Sequence, residues 1–72
     1  MQPLYIQIYK KHPKKILNAY RTLGHESFYH QIKTQLMGAY KEKAARTIAA
    51  NLAIHAADIV LLQDLGVFQE QI

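Results

Sequence analysis

Cysteine and tryptophan are absent from the 72 residues, and there are only three glycines and two prolines. Without thiols the chain has neither a disulfide framework nor a zinc–thiolate staple. So little Gly and Pro excludes a collagen-like or linker-rich chain, and no stretch separates two domains. The longest unbroken run of Ile, Val and Leu is Ile59-Val60-Leu61-Leu62, which by this criterion falls short of a membrane span. The first lysines follow the first apolar stretch, the reverse of the order in a secretory leader. These absences point to one domain over 1–72, in the cytoplasm, without a membrane partner.

Acidic residues are also scarce, five against nine Lys and Arg, for a net charge of +4. The imbalance is segregated. Residues 1–46 carry all nine basic side chains and two acids, Glu26 and Glu42; residues 47–72 carry Asp58, Asp64 and Glu70 and no Lys or Arg. Such a division suggests a basic half that meets an anionic partner and a separate region for assembly. The plain alternative is that the basic side chains only solvate the surface. A chain this short buries only about 60% of the surface its unfolded form exposes. With no disulfide or metal to staple it, self-association is the expected supplement, and a well-packed monomeric bundle is the alternative.

Half of the residues are apolar, and their spacing gives the elements. In 4–9, Leu4, Ile6 and Ile8 alternate with Tyr5, Gln7 and Tyr9, which fits a strand. A helix opened by Pro3 and burying Leu4, Tyr5 and Ile8 competes with it, and so short a run leaves the choice open. Pro13 then opens a helix in which Ile16, Leu17, Tyr20 and Leu23 recur at helical spacing, with Gly24 as its stop. Ser27 is placed to cap the next helix, whose stripe is Phe28, Ile32, Leu36 and Tyr40, widened by Tyr29 and Met37; Gly38 marks close packing or a break. From Ala44 to Leu65 there is no Gly or Pro, and Ile48, Leu52, Ala56 and Ile59 recur every three or four residues. That reads as one Ala-rich helix of about six turns, with only a thin polar stripe of Arg46, Thr47, Asn51, His55, Asp58 and Gln63. A helix apolar nearly all round is buried nearly all round, and two short helices are too little to cover it. Ile48, Leu52, Ala56, Ile59 and Leu62 are therefore expected in the core or at an interface with a second copy. Gly66 ends the helix, with Val67 and Phe68 folding back as a cap contact and 69–72 frayed.

Few constellations carry chemistry. Glu26 and His30 lie one turn apart beside His25, but a metal site needs three or four ligands and nothing nearby completes it. His55 and Asp58 read as a hydrogen-bonded pair on the polar stripe. There is no paired-carboxylate signal, no Gly-rich phosphate loop, and no Ser or Thr with an evident activating base. No enzyme, cofactor or metal is expected. Ile48, Ala49, Leu52, Ile54, Ile59 and Leu62 follow the apolar skeleton of a helix-turn-helix. The recognition face this implies (His55, Ala56, Ala57, Val60, Leu61 and Asp64) has no guanine donor, and Ala53 stands where the turn usually has Gly. A continuous helix accounts for the same spacing.

The order alternating stretch, Pro, helix, Gly, Ser, helix over roughly 4–40 resembles the ribbon-helix-helix family. The resemblance implies a strand paired across a dimer in the DNA major groove, with Gln7 facing bases and the backbone around Ser27 and Phe28 meeting a phosphate. The interval from Pro13 to Gly24 is about a turn shorter than that family's first helix, and the long last helix is additional. Independently of fold, Lys10, Lys11, Lys14, Lys15 and Arg21 form a basic cluster, with Tyr9 and Tyr20 among them for stacking or for packing. The expected protein is mostly α, with three to four helices and a short N-terminal strand or helix. It acts as a homodimeric, non-enzymatic regulator that binds nucleic acid through Gln7, these basic residues and Ser27. The competing reading is a protein-interaction module of inhibitor, antitoxin-like or immunity type, whose basic face docks an acidic protein surface.

Overall fold

Pro3 supplies the pre-set backbone angle that starts a helix, and its carbonyl accepts from the amides of Ile6 and Gln7. In the computed structural model, which describes residues 2–66, four helices follow: α1 (Leu4–Lys11), α2 (Pro13–Leu23), α3 (His25–Leu36) and α4 (Glu42–Asp64). No strand occurs among the described residues. The segment 4–9 is therefore helical, which decides the open choice against the strand and removes the basis of the ribbon-helix-helix resemblance. The physical reason is packing. Tyr5, Ile8 and Tyr9 sit at helical spacing and lie against the core formed by the other helices, so a helix buries them within one chain, whereas a strand needs another strand beside it.

Two single residues turn the chain. His12 leaves the helical region between α1 and α2, and Pro13 opens α2 at once. Gly24 separates α2 from α3 with φ 83° and ψ 170°, a backbone state essentially reserved for glycine. Gly24 also takes the capping position of α3, so Ser27 lies inside the first turn and caps nothing. α3 stops at Leu36, and a turn through Gly38 leads to α4. Gly38 is thus a break, and the anticipated stripe is divided by it: Phe28 and Ile32 are buried, while Leu36 and Tyr40 are exposed. Met37, at the end of α3, is buried instead.

The core is Ile16 and Leu17 of α2, Phe28 and Ile32 of α3, Met37, and Ala45, Ala49, Leu52, Ala53 and Ala56 of α4. Alanine on the inner face of α4 lets α1, α2 and α3 approach it closely, so one face of the long helix is covered within the chain. Leu52 and Ala56 are fully buried here. They belong to the core within the chain, one of the two roles expected of this face; Ile48 and Ile59 flank that core, and Leu62 is exposed. His55 pairs with α1 rather than with Asp58: its ring meets Tyr5 and Tyr9 edge-on, with centroids 5.8 and 4.8 Å away. By length and composition α4 is also apolar enough to cross a membrane, with a mean hydropathy of 1.4. Alanines raise that average without an unbroken Ile/Val/Leu run, so counting runs missed it. Core helices of soluble proteins meet the same criterion. The predicted cap contact of Val67 and Phe68 and the frayed end at 69–72 lie outside the described residues.

Candidate functional site

The lysine cluster is built at the corner between α1 and α2. Lys10 and Lys11 occupy the last turn of α1, where positive charge complements the negative end of the helix. Lys14 and Lys15 occupy the first turn of α2, where the helix end is already positive. All four are exposed. Within six residues the chain therefore concentrates four ammonium groups and a helix N-terminus.

The backbone adds donors. His12 N–H bonds the Tyr9 carbonyl at 3.1 Å, Pro13 has no N–H, and Ile16 N–H bonds the His12 carbonyl at 3.0 Å. The amides of Lys14 and Lys15 fall between these, and no side chain caps them. Neither α1 nor α2 has an acid in its first turn. Glu42 and Asp64 are engaged elsewhere: Glu42 with Lys33 at 2.9 Å and Arg46 at 3.6 Å, Asp64 with Arg21 at 3.1 Å. The four lysines make no ion pair among the described residues. Like charges on adjacent turns repel modestly in water, and an anion at the corner relieves that repulsion.

Beside the corner, α2 and α3 enclose a groove of about 90 Å³. Ile16, Ala19, Ile32 and Leu36 form its apolar floor, and His12, Lys15, Gln31 and Gln35 its rim. The groove adjoins the lysine corner through His12 and Lys15 and is lined by two side-chain amides, groups that can donate hydrogen bonds. Reading one helix at a time hid it. Its only trace in the sequence is that Gln31 and Gln35 are one turn apart on the helix that follows the lysines.

Other anticipated members lie elsewhere. Arg21 belongs to a tether: Nη1 donates to Asp64 Oδ1 at 3.1 Å and Nη2 to Gln63 Oε1 at 2.7 Å, fastening α2 to the end of α4. Gln7 is exposed on α1 and its amide donates to the Gln2 carbonyl at 3.2 Å. Ser27 is exposed at the start of α3, on a different helix from the lysines. Tyr9 is engaged with His55. Tyr20 packs edge-on against Phe28 at 5.3 Å and shares a 2.9 Å hydrogen bond with His25 Nδ1. Both tyrosines of the basic segment thus make packing contacts within the chain. No family model matches this chain, and neither a curated protein nor a solved structure is similar to it.

Proposed function

We propose that this is a small, non-enzymatic protein that binds nucleic acid through the sugar–phosphate backbone. Lys10, Lys11, Lys14 and Lys15 supply the charge, the amides of Lys14 and Lys15 supply backbone donors, and Gln31 and Gln35 add side-chain donors along the groove. The observation that carries the reading is the pair of lysines in the first turn of an uncapped helix. That arrangement is unfavourable alone and favourable with a phosphate present. Tyr9 and Tyr20 already make packing contacts within the chain, and the reading rests on charge density. Duplex DNA, with one charge per about 1.7 Å of axis, is therefore held at least as tightly as a single strand. Sequence preference is weak, since phosphate contacts carry no base information directly.

The test is anisotropy of labelled duplex and single-stranded oligonucleotides, titrated across a range of salt. The expected result is steep salt dependence. In the variant with Lys10, Lys11, Lys14 and Lys15 all changed to Ala, the slope of log K against log salt drops by about 0.9 for each duplex phosphate that is no longer neutralised. Salt-independent binding, or an unchanged slope in that variant, overturns the proposal. The apolar floor of the groove beside the lysines favours one second reading, an acidic partner protein that inserts an apolar side chain there. That reading predicts slower association with the partner in the lysine variant and no binding to either oligonucleotide.

A further inference from the structure

The face of α4 turned away from the core carries a second pattern. Lys43, Thr47, Ala50, Ile54, Asp58, Leu61 and Leu65 follow one another at spacings of three and four and so share one stripe. Ile54, Leu61 and Leu65 are 56%, 57% and 66% exposed, an unusual outlay of large apolar groups for so small a chain. The stripe is graded along its length. Its start has a cation and small side chains, Lys43, Thr47 and Ala50; its second half has an anion and large side chains, Ile54, Asp58, Leu61 and Leu65. Lys43 and Asp58 are exposed and make no ion pair among the described residues.

We infer that this stripe is an interface with a second copy of the chain, in which the two α4 helices run antiparallel. Only that direction makes the gradient self-complementary. With a two-fold axis between Ala50 and Asn51, Lys43 faces the partner's Asp58 and Thr47 faces the partner's Ile54, so cation meets anion and small meets large. The same register carries Leu61 towards the partner's Tyr40, exposed just ahead of its α4. A parallel pairing sets Lys43 against the partner's Lys43 and Asp58 against the partner's Asp58. A two-fold dimer uses the same patch on both subunits, and a patch built of complementary halves meets that condition. The charge order also suits neighbouring helix dipoles, because the basic start of one α4 lies beside the negative end of the other. This interface is distinct from the lysine corner and does not depend on nucleic-acid binding.

The experiment is sedimentation equilibrium of the full chain from micromolar to millimolar concentration, without nucleic acid, with far-UV circular dichroism on every variant. Wild type is expected to reach twice 8.3 kDa. Lys43→Glu and Asp58→Lys each place two like-charge pairs in the dimer and should weaken it about tenfold, at about 0.7 kcal/mol per pair. The double variant restores opposite charges across the interface and should recover the wild-type mass. Ile54→Asp and Leu61→Asp, both at exposed positions, should give folded monomers. Monomeric mass for wild type at every concentration overturns the inference, as does a charge-reversed pair that fails to recover the dimer. Sedimentation of the monomer with neutral phosphatidylcholine vesicles assigns the stripe to lipid and also overturns it. The lysine-to-alanine variant leaves this mass unchanged, so failure of the nucleic-acid reading and failure of the dimer are told apart.

Discussion

At the scale of single residues, two positions show how little the chain spares for redundancy. Gly24 ends α2 and starts α3 with φ 83° and ψ 170°, and a Cβ built there meets nothing within 4 Å. Gly24→Ala thus has no clash with neighbours and its whole cost is backbone strain, about 1–3 kcal/mol. Chemical denaturation should show that loss, and D-alanine placed there by synthesis should not. Glu42 is the second position. The hydrogen bond from the Lys33 ammonium, helped by the charges of Lys33 and Arg46, holds its carboxyl below the usual carboxylate range. A carboxylate whose folded pKa is depressed contributes stability above its unfolded value, about 4.3, and that contribution fades as pH falls through the lowered folded value. The group is exposed, so the effect is small. Glu42→Gln should melt slightly below wild type at pH 7, with the difference gone at a pH below the folded value. A difference that persists unchanged in acid contradicts the assignment.

At the scale of helices, α4 has two faces with opposite consequences for the same substitution. Leu52 is fully buried against the other helices, so Leu52→Asp places a carboxylate in an apolar core that offers it no partner. The cost is several kcal/mol and the chain should lose its helical circular dichroism near room temperature. Two residues on, Ile54 faces outward, and Ile54→Asp should leave that signal intact. This division marks the limit of reading helices singly. Gly38 fitted close packing as well as a break, but the length and position of α4 and the stop at Gly24 were legible, because Gly, Pro and apolar spacing are local signals. Three features were not. Residues 4–9 fit two periods, and only contact with α4 selects the helix. Ser27 has the chemistry of a cap, but Gly24, three residues earlier, already begins the helix. What covers the stripe Ile48, Leu52, Ala56 and Ile59 of α4 could not be told, because that depends on where α1, α2 and α3 pack. In the candidate site the four lysines were legible as a run, whereas the salt bridge of Arg21 to Asp64 joins residues 43 apart and left no local trace.

At the scale of the whole molecule, a thin core and a segregated charge act together. Four of the ten core residues among the described residues are alanines, which bring the helices close but bury little area each. In the inferred dimer, pairing along the outer stripe of α4 would add apolar burial to this core. Mass action makes this measurable. A dimer that unfolds to separate chains is stabilised by about 1.4 kcal/mol for each tenfold rise in concentration. For a unit of this size that raises Tm by about 3–5 °C, whereas a folded monomer has a Tm independent of concentration. Wild type should show the rise, and Ile54→Asp should melt lower with a flat dependence. A polyanion provides the complementary handle. Short duplex DNA, added at low salt, should raise the Tm of wild type and of Ile54→Asp alike, because the lysine corner is remote in sequence from the outer stripe and present on each copy. The variant without the four lysines should gain nothing from the DNA but keep its dependence on concentration. If removing the lysines abolished that dependence, the basic half and the assembly face would be one surface, and the separation read from the positions of Lys10 to Lys15 and Lys43 to Leu65 would be wrong.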